Sequence, residues 1–333
     1  MLRTIAEAAG IDDREVRVGL IAGGRSNLTY RVEAGDRRWV LRRPPLGHVL
    51  ATAHDMAREF QVLDALGTAE VRVPATVLFQ PATGDDPAYY VMHYVDGRTI
   101  RTASDAAELT AADARAVADD LVDQLVALHA VAAGRAGLAG FGRPEGFLNR
   151  QLRRWRQQWD ASVTPVDTAP LPVLADELAA AVPDRSASSV VHGDYRLDNT
   201  LVHRGRPGRV AAIIDWEMST LGDPLTDLGL LLAYWSPAGA RVAGNAAPPS
   251  LHPGFPDAAA IAERYLRSAD GPAPDLGFYL ALACFKLAAI AQTIVARHRL
   301  GLTVDLEVDT TGVVVAELVD AGRYVLGGPG RWL

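Results

Sequence analysis

The sequence predicts an α+β chain made of two lobes, a strand-rich first part and a larger, mainly helical second part. Three observations carry this. At 333 residues the chain exceeds one typical domain length. Up to Gly97 its apolar residues fall in short β-branched or alternating runs, and beyond it they recur at helical spacing over longer stretches. A strand-rich interruption at 189–216 then breaks the helical part. The expected division is 1–96 and 97–333.

Taken in order, "LRTIAEAA" reads as a short helix, followed by strands at 16–22 ("VRVGLIA"), 28–34 ("LTYRVEA") and 37–43 ("RRWVLRR"). The short "GGRSN" link and the two-residue turn Gly35-Asp36 make these consecutive antiparallel strands. Met56, Phe60, Leu63 and Leu66 share one face of a helix at about 52–66. Two more strands, "RVPATVLFQ" and "AYYVMHYV", complete the first lobe. After Gly97, Thr110 and Asp113 form a capping box for a helix with Val117, Leu121, Leu125 and Leu128 down one face. Leu148, Leu152, Trp155 and Trp159 repeat that spacing, which reads as core. Further helices are expected at about 224–235, 257–268, 275–298 and 307–321, with 236–256 as a long surface loop. Asp223 and Pro224 read as an N-cap and N1 pair. No internal repeat is visible.

Hydrophobic content of 49% with 22% charged residues describes an ordinary globular chain, and a net charge of -7 disfavours nucleic acid or an anionic membrane as partner. The single cysteine, Cys284, lies in an apolar run and reads as a buried hydrophobe, so no intramolecular disulfide is expected. No apolar stretch reaches membrane-spanning length free of charge and the N-terminus lacks a signal-like apolar region, so the expectation is a cytoplasmic protein. Positive charge is local: "RRWVLRRPPL" (37–46) holds four arginines, while Lys286 is the only lysine.

The stretches "VVHGDYRLDNTLV" and "AAIIDWEMSTLGDPLTDLG" supply Asp194, Asn199 and Asp215 at the ends of short strands. Two carboxylates and an amide form an oxygen-rich set that suits Mg²⁺. The HxDxxxxN loop followed by "IIDW" resembles the aminoglycoside phosphotransferase and choline kinase-like family of the protein-kinase-like fold. It is similar above all to the kinase-like domains fused to some acyl-CoA dehydrogenases, with "GGRSN", "VLRR", "HGDYRLDN" and "DWEMSTLGDPLTDLG" in the expected order from about residue 16 to 300.

The resemblance implies a bilobal fold. Residues 1–96 would be the nucleotide-binding lobe, with an antiparallel sheet and one main helix. Residues 97–333 would carry the catalytic loop, the metal site and the substrate region. It further implies an ATP- and Mg²⁺-dependent phosphotransferase acting on a small-molecule hydroxyl. Asp194 matches the base that orients the acceptor hydroxyl and takes its proton, and Asn199 and Asp215 match the metal ligands. Arg196 sits where a γ-phosphate-facing lysine is found in protein kinases. Gly23 and Gly24, with Ser26 and Asn27, would cradle phosphate between the first two strands. Alternation puts Val40 and Arg42 on one face and Leu41 and Arg43 on the other. Arg42 thereby takes the place of the basic residue facing the α- and β-phosphates, paired with Glu59, while Arg37, Arg38 and Arg43 read as solvated. Backbone groups from His93 to Val95 would meet the adenine edge, and Gly97 would act as a pivot. His192 reads as a structural brace, Asp227 as either a loop brace or an exposed helical charge, and Glu217 as a distant candidate for a second metal.

For the acceptor, residues 240–300 set Asp257, Glu263, Asp270 and Asp275 against Arg241, Arg264, Arg267, Lys286, Arg297 and Arg299, which favours a neutral or anionic molecule over a polycation. A hydroxyacyl thioester of coenzyme A, an antibiotic and a sugar-like alcohol all stay open. A regulatory pseudokinase would have lost Asp194, Asn199 or Asp215, and none is lost. No DFG or APE segment points to a protein kinase, and no histidine cluster or GxSxG elbow points to a hydrolase.

Overall fold

A computed structural model describes residues 16–21, 27–45, 55–84, 86–162, 170–184, 186–244, 248–268, 274–301 and 308–328. The expected N-terminal helix and most of the "GGRSN" turn, with Gly23, Gly24 and Ser26, lie outside them.

Five strands form one antiparallel sheet: β1 (Arg17–Leu20), β2 (Leu28–Ala34), β3 (Arg37–Arg43), β4 (Thr76–Gln80) and β5 (Tyr89–His93), in the order β1-β2-β3-β5-β4. Gly35 makes the β2–β3 turn at φ 56°, a left-handed conformation that glycine adopts without steric penalty. The helix Met56–Leu66 is capped by Asp55, whose carboxylate accepts the Arg58 N–H at 3.1 Å. Strand alternation decides what each sheet face buries. Val40, Tyr90 and Met92 pack with Val62, Leu63 and Leu66 of this helix, while Val32, Trp39, Leu41, Tyr89 and Val91 form a second cluster on the other side. Arg42 therefore points to the helix side, as the alternation predicts.

The rest is mainly helical, built around Gly277–Arg299, which packs against the helices Phe147–Asp160, Leu171–Ala180, Leu225–Trp235 and Val308–Leu326. By length and composition this helix alone, among the described residues, could cross a membrane, but 83% of its apolar window is buried inside the protein, so it is the spine of a core. Trp155 and Trp159 are buried beside it, as their spacing predicts.

Two small sheets interrupt the helices. Strands β6 (Gly97–Arg98), β8 (Thr200–His203) and β9 (Val210–Ile213) form one, and β7 (Ser189–Val191) pairs with β10 (Thr220–Gly222) in the other. The pairing sets Gly97, the expected pivot, in a strand. That residue is buried opposite His203, and a Cβ there would stand 2.8 Å from Leu201 Cβ, so close strand approach is what demands glycine.

The stretch 236–256 also departs from expectation. Instead of a surface loop it holds a helix, Pro237–Val242, and a 3-10 turn, Pro249–Leu251, with Ala240, Val242 and Phe255 buried. Ser236 caps the helix by accepting the Gly239 N–H at 3.2 Å, and Pro237 supplies the fixed φ of its first position. The Pro/Gly-rich composition concealed a cap signal. At the start of the preceding helix, Leu225–Trp235, Pro224 occupies the cap position itself rather than the first helical position expected, and the Asp223 carboxylate just before it accepts the Leu225 N–H at 3.0 Å.

Candidate active site

The loop after β7 is shaped by three buried polar groups. His192 Nδ1 accepts the Asp194 N–H at 3.2 Å, so Nε2 carries the proton and donates to Ile214 O at 2.9 Å. This makes His192 the brace its sequence context suggests, its ring tilted 60° against that of Trp216 with centroids 4.7 Å apart. Asp227, on the helix Leu225–Trp235, accepts the N–H groups of His192 (2.6 Å) and Gly193 (2.8 Å) and lies 3.3 Å from His129 Nε2. It is 1% exposed, which removes the exposed-charge alternative. Burial works against its charge, but these partners hold the carboxyl below the usual range. Gly193 has φ 82°, and a Cβ there would meet Met218 O at 2.5 Å, so the loop requires glycine at this point.

Asn199 Nδ2 donates to Asp194 Oδ2 and to Asp194 O, each at 2.8 Å, and Asn199 O accepts the Ile214 N–H at 2.9 Å. Asp194 and Asn199 are thereby tied to the strand that delivers Asp215. Asp215 sits at φ 69°, the sole non-glycine residue with positive φ among the described residues, where β9 turns sharply into a 3-10 segment. Such backbone strain concentrates at functional sites. Burial disfavours the Asp194 charge, but Arg196 and Lys286 more than offset it and keep the carboxyl below its ordinary value.

Arg42 joins the sheet to this site. Its Nη1 lies 3.2 Å from Glu59 Oε2 and its Nη2 3.1 Å from Asp215 Oδ1. Burial opposes its charge, but Tyr90, Glu59 and Asp215 outweigh that and raise its pKa. Glu59, 1% exposed, also accepts from Tyr90 Oη at 2.9 Å and Asn27 Nδ2 at 2.8 Å. Burial raises the Glu59 pKa despite Arg42. Asn27 Nδ2 additionally reaches Glu217 Oε2 at 3.4 Å. The residue expected to face phosphate is thus tied to two carboxylates, because its side chain points under the sheet.

The remaining expectations divide. Arg196 forms ion pairs with Asp198 (3.0 Å) and Asp194 (3.4 Å), its guanidinium 4.7 Å from the Tyr234 ring centroid. The His93 N–H is spent on Ala75 O at 2.8 Å and the Tyr94 N–H on Arg38 O at 3.1 Å, whereas the Val95 N–H makes no backbone hydrogen bond among the described residues. Of His93 and Val95, only Val95 keeps its N–H available to a nucleobase, because β5 runs on through residue 93. Arg37 and Arg38 are exposed, Arg38 lying 4.6 Å from the Tyr94 ring, but Arg43 is half-buried, a departure from its surface reading.

Beside Gly193 opens a cavity of about 430 Å³ whose wall carries Arg58, Arg143, Arg150, Arg154, Trp155 and Lys286. Sequence reasoning counted Lys286 only as one charge among several and did not find the arginines of the Phe147–Asp160 helix. Their helical spacing was legible, but the cavity they face was not.

This sheet, helical part and polar loop define a phosphotransferase of the protein-kinase-like fold. The chain belongs to the phosphotransferase enzyme family, whose family model matches residues 17–274. It is 34% identical over 288 residues to acyl-CoA dehydrogenase family member 11 of Gallus gallus, and 34% over 284 residues to that of Homo sapiens. In both cases the match covers 84% of this chain but only 36% of the relative, so the chain spans little more than a third of their length. Among solved structures, a Ralstonia eutropha protein provisionally named an aminoglycoside phosphotransferase superposes with a TM-score of 0.81 at 28% identity, covering 98% of this chain and 99% of that one. Aminoglycoside phosphotransferase APH(4)-Ia, in ternary complex with ADP and hygromycin B, gives a TM-score of 0.65 at 15% identity over 96% of this chain and 98% of that one, a likeness of fold alone.

Proposed function

We propose that the protein transfers the γ-phosphate of ATP to a hydroxyl of a small molecule, with Asp194 as the base. The observation that carries this is the joining of Asp194 and Asn199 to the Asp215 strand, with Arg42 and Glu59 reaching Asp215 from the sheet. Residues 1–96 would bind the nucleotide through Arg42 and the Val95 backbone, and 97–333 would supply the loop and the acceptor site. Asp194 Oδ2, held by Asn199 and kept ionised by its cationic surroundings, would orient the acceptor hydroxyl and take up its proton. Arg196, beside that carboxylate, would face the transferring phosphoryl group.

The donor set fits Mg²⁺. Asn199 spends its amide N–H groups on Asp194, which leaves its Oδ1 without a protein partner among the described residues, and the Asp215 carboxylate is 38% exposed. Two such oxygens suit an ion that takes its other ligands from water and phosphate. When bound, it would neutralise charge on the phosphate oxygens.

Arg42→Lys should raise the KM for ATP about tenfold, equivalent to about 1.4 kcal/mol, because one ammonium cannot replace a planar fork shared between Glu59 and Asp215. An unchanged KM and kcat would remove Arg42 from the nucleotide site.

The cationic cavity beside Gly193 supports a neutral or anionic acceptor over a polycation. The dehydrogenase names of the relatives favour a hydroxyacyl thioester of coenzyme A within that range. The direct test is acceptor-dependent ADP release with hydroxyacyl thioesters, sugar-like alcohols and aminoglycosides. Release driven only by aminoglycosides would defeat the charge argument, and no release with any acceptor would favour a regulatory nucleotide-binding role.

A further inference from the structure

Lys286 is the chain's only lysine, and it is 8% exposed in the middle of the apolar helix Gly277–Arg299. An ammonium placed there is costly unless its donors are used. Its Nζ donates to Gly193 O at 2.5 Å and lies 5.2 Å from the Trp155 ring centroid. An ammonium has three N–H donors, and among the described residues no other acceptor takes the remaining ones. Burial pulls its pKa down to about 8 against the opposing pull of Asp194 and Asp227. Neither carboxylate forms an ion pair with it, since Asp227 is committed to His129 and the loop N–H groups and Asp194 to Asn199 and Arg196.

Lys286 also forms part of the wall of the 430 Å³ cavity, together with four arginines. Arg58 donates to the carbonyls of Phe141 (2.8 Å) and Ser219 (3.2 Å), and Arg150 donates to the carbonyls of Glu145 and Arg143. Arg154 lies 5.0 Å from the Trp155 ring centroid. These contacts are to carbonyls and rings, so among the described residues they pair none of these three arginines with a carboxylate. Among the described residues two carboxylates, Glu217 and Asp227, share the lining; Asp227 is committed to the loop N–H groups and Glu217 accepts from Asn27 Nδ2.

We propose that this cavity receives the acceptor and that Lys286 is its specificity residue, its unspent donors holding an anionic oxygen of a carboxylate or phosphate. Gly193 O orients the ammonium, and Arg154, near the same Trp155 ring, adds a second charge. Because Asp194 directly follows Gly193 in the loop, an acceptor anchored at Lys286 is held beside the base. The word acceptor rests on the phosphotransferase reading; the anion site does not.

The test uses the full chain with its nucleotide site filled by Mg²⁺ and AMP-PNP, titrated calorimetrically with inorganic pyrophosphate, malonate and neomycin. Pyrophosphate and malonate separate phosphate from carboxylate preference. The expected result is that at least one of the two anions binds, that Lys286→Gln weakens it about tenfold or more, and that Lys286→Arg stays within about threefold of the native protein. In turnover, Lys286→Gln should raise the acceptor KM and leave the ATP KM unchanged. Equal anion affinity in Lys286→Gln and the native protein, or preferential binding of neomycin, would overturn the proposal. If melting curves show that Lys286→Gln does not fold, Arg154→Gln, at an exposed position, carries the comparison, and undiminished anion affinity there counts against the site. Failure of the native protein to bind AMP-PNP would instead strike at the nucleotide reading, leaving the anion titrations readable.

Discussion

Asp194→Asn should lower kcat by about 10²–10⁴-fold while leaving AMP-PNP affinity and the folded structure nearly unchanged. The amide keeps the shape of the carboxylate and one oxygen to accept from Asn199 Nδ2, so the loop retains its hydrogen bond. What disappears is the negative charge that Arg196 and Lys286 hold in the ionised state, and with it the capacity to take a proton from the acceptor. Rapid-quench measurement of the phosphoryl-transfer step, beside a nucleotide titration and a melting curve, separates these effects. Transfer at the native rate would show that Asp194 is not the base, whereas loss of folding or of nucleotide binding would give it a structural role.

The largest stability effect is expected at Asp227. Asp227→Ala deletes the acceptor of two loop N–H groups and the partner of His129 at a position that is 1% exposed. Stranding buried donors costs about 1–3 kcal/mol each, so a total of about 3–5 kcal/mol is expected, a large share of the roughly 5–15 kcal/mol that holds a typical domain together. Urea denaturation measures it, and a loss below about 1 kcal/mol, the range of an ordinary surface substitution, would mean the loop does not depend on this carboxylate.

The sign of the pH dependence follows from the depressed Asp227 pKa. A carboxyl held below its unfolded value of about 3.9 contributes its full stability above that pH and loses it as pH falls through the folded value. The native protein should therefore approach Asp227→Asn in stability under acid and exceed it most above about pH 4. Asp194, depressed in the same direction, leaves a residual acid slope in the variant.

Where the sequence was legible, the signal was local. Alternation in "RRWVLRR" assigned Arg42 to the same face as Val40, and the Gly35-Asp36 turn set the β2–β3 register, because period and turn chemistry are properties of neighbouring residues. The order of the polar residues around Asp194, Asn199 and Asp215 was equally readable. The segment 236–256 was misread because Pro and Gly content hid the Ser236-Pro237 cap, and the close approach to β8 that demands glycine at residue 97 leaves no mark in the local sequence.

The sequence by itself determined the order of the five strands in the first sheet and of the longer helices, the face on which Arg42 lies and the identity of the oxygen-bearing loop residues, all set by patterns spanning a few residues. Only the tertiary structure decided that Arg42 would bridge Glu59 to Asp215, 173 residues away in the chain from Arg42, and that Lys286 would meet Gly193 O across 93 residues. No local pattern records such contacts. They arise when the two lobes bury their apolar faces and the few charges left inside must find partners, since an unpaired buried charge costs more than the fold can spare.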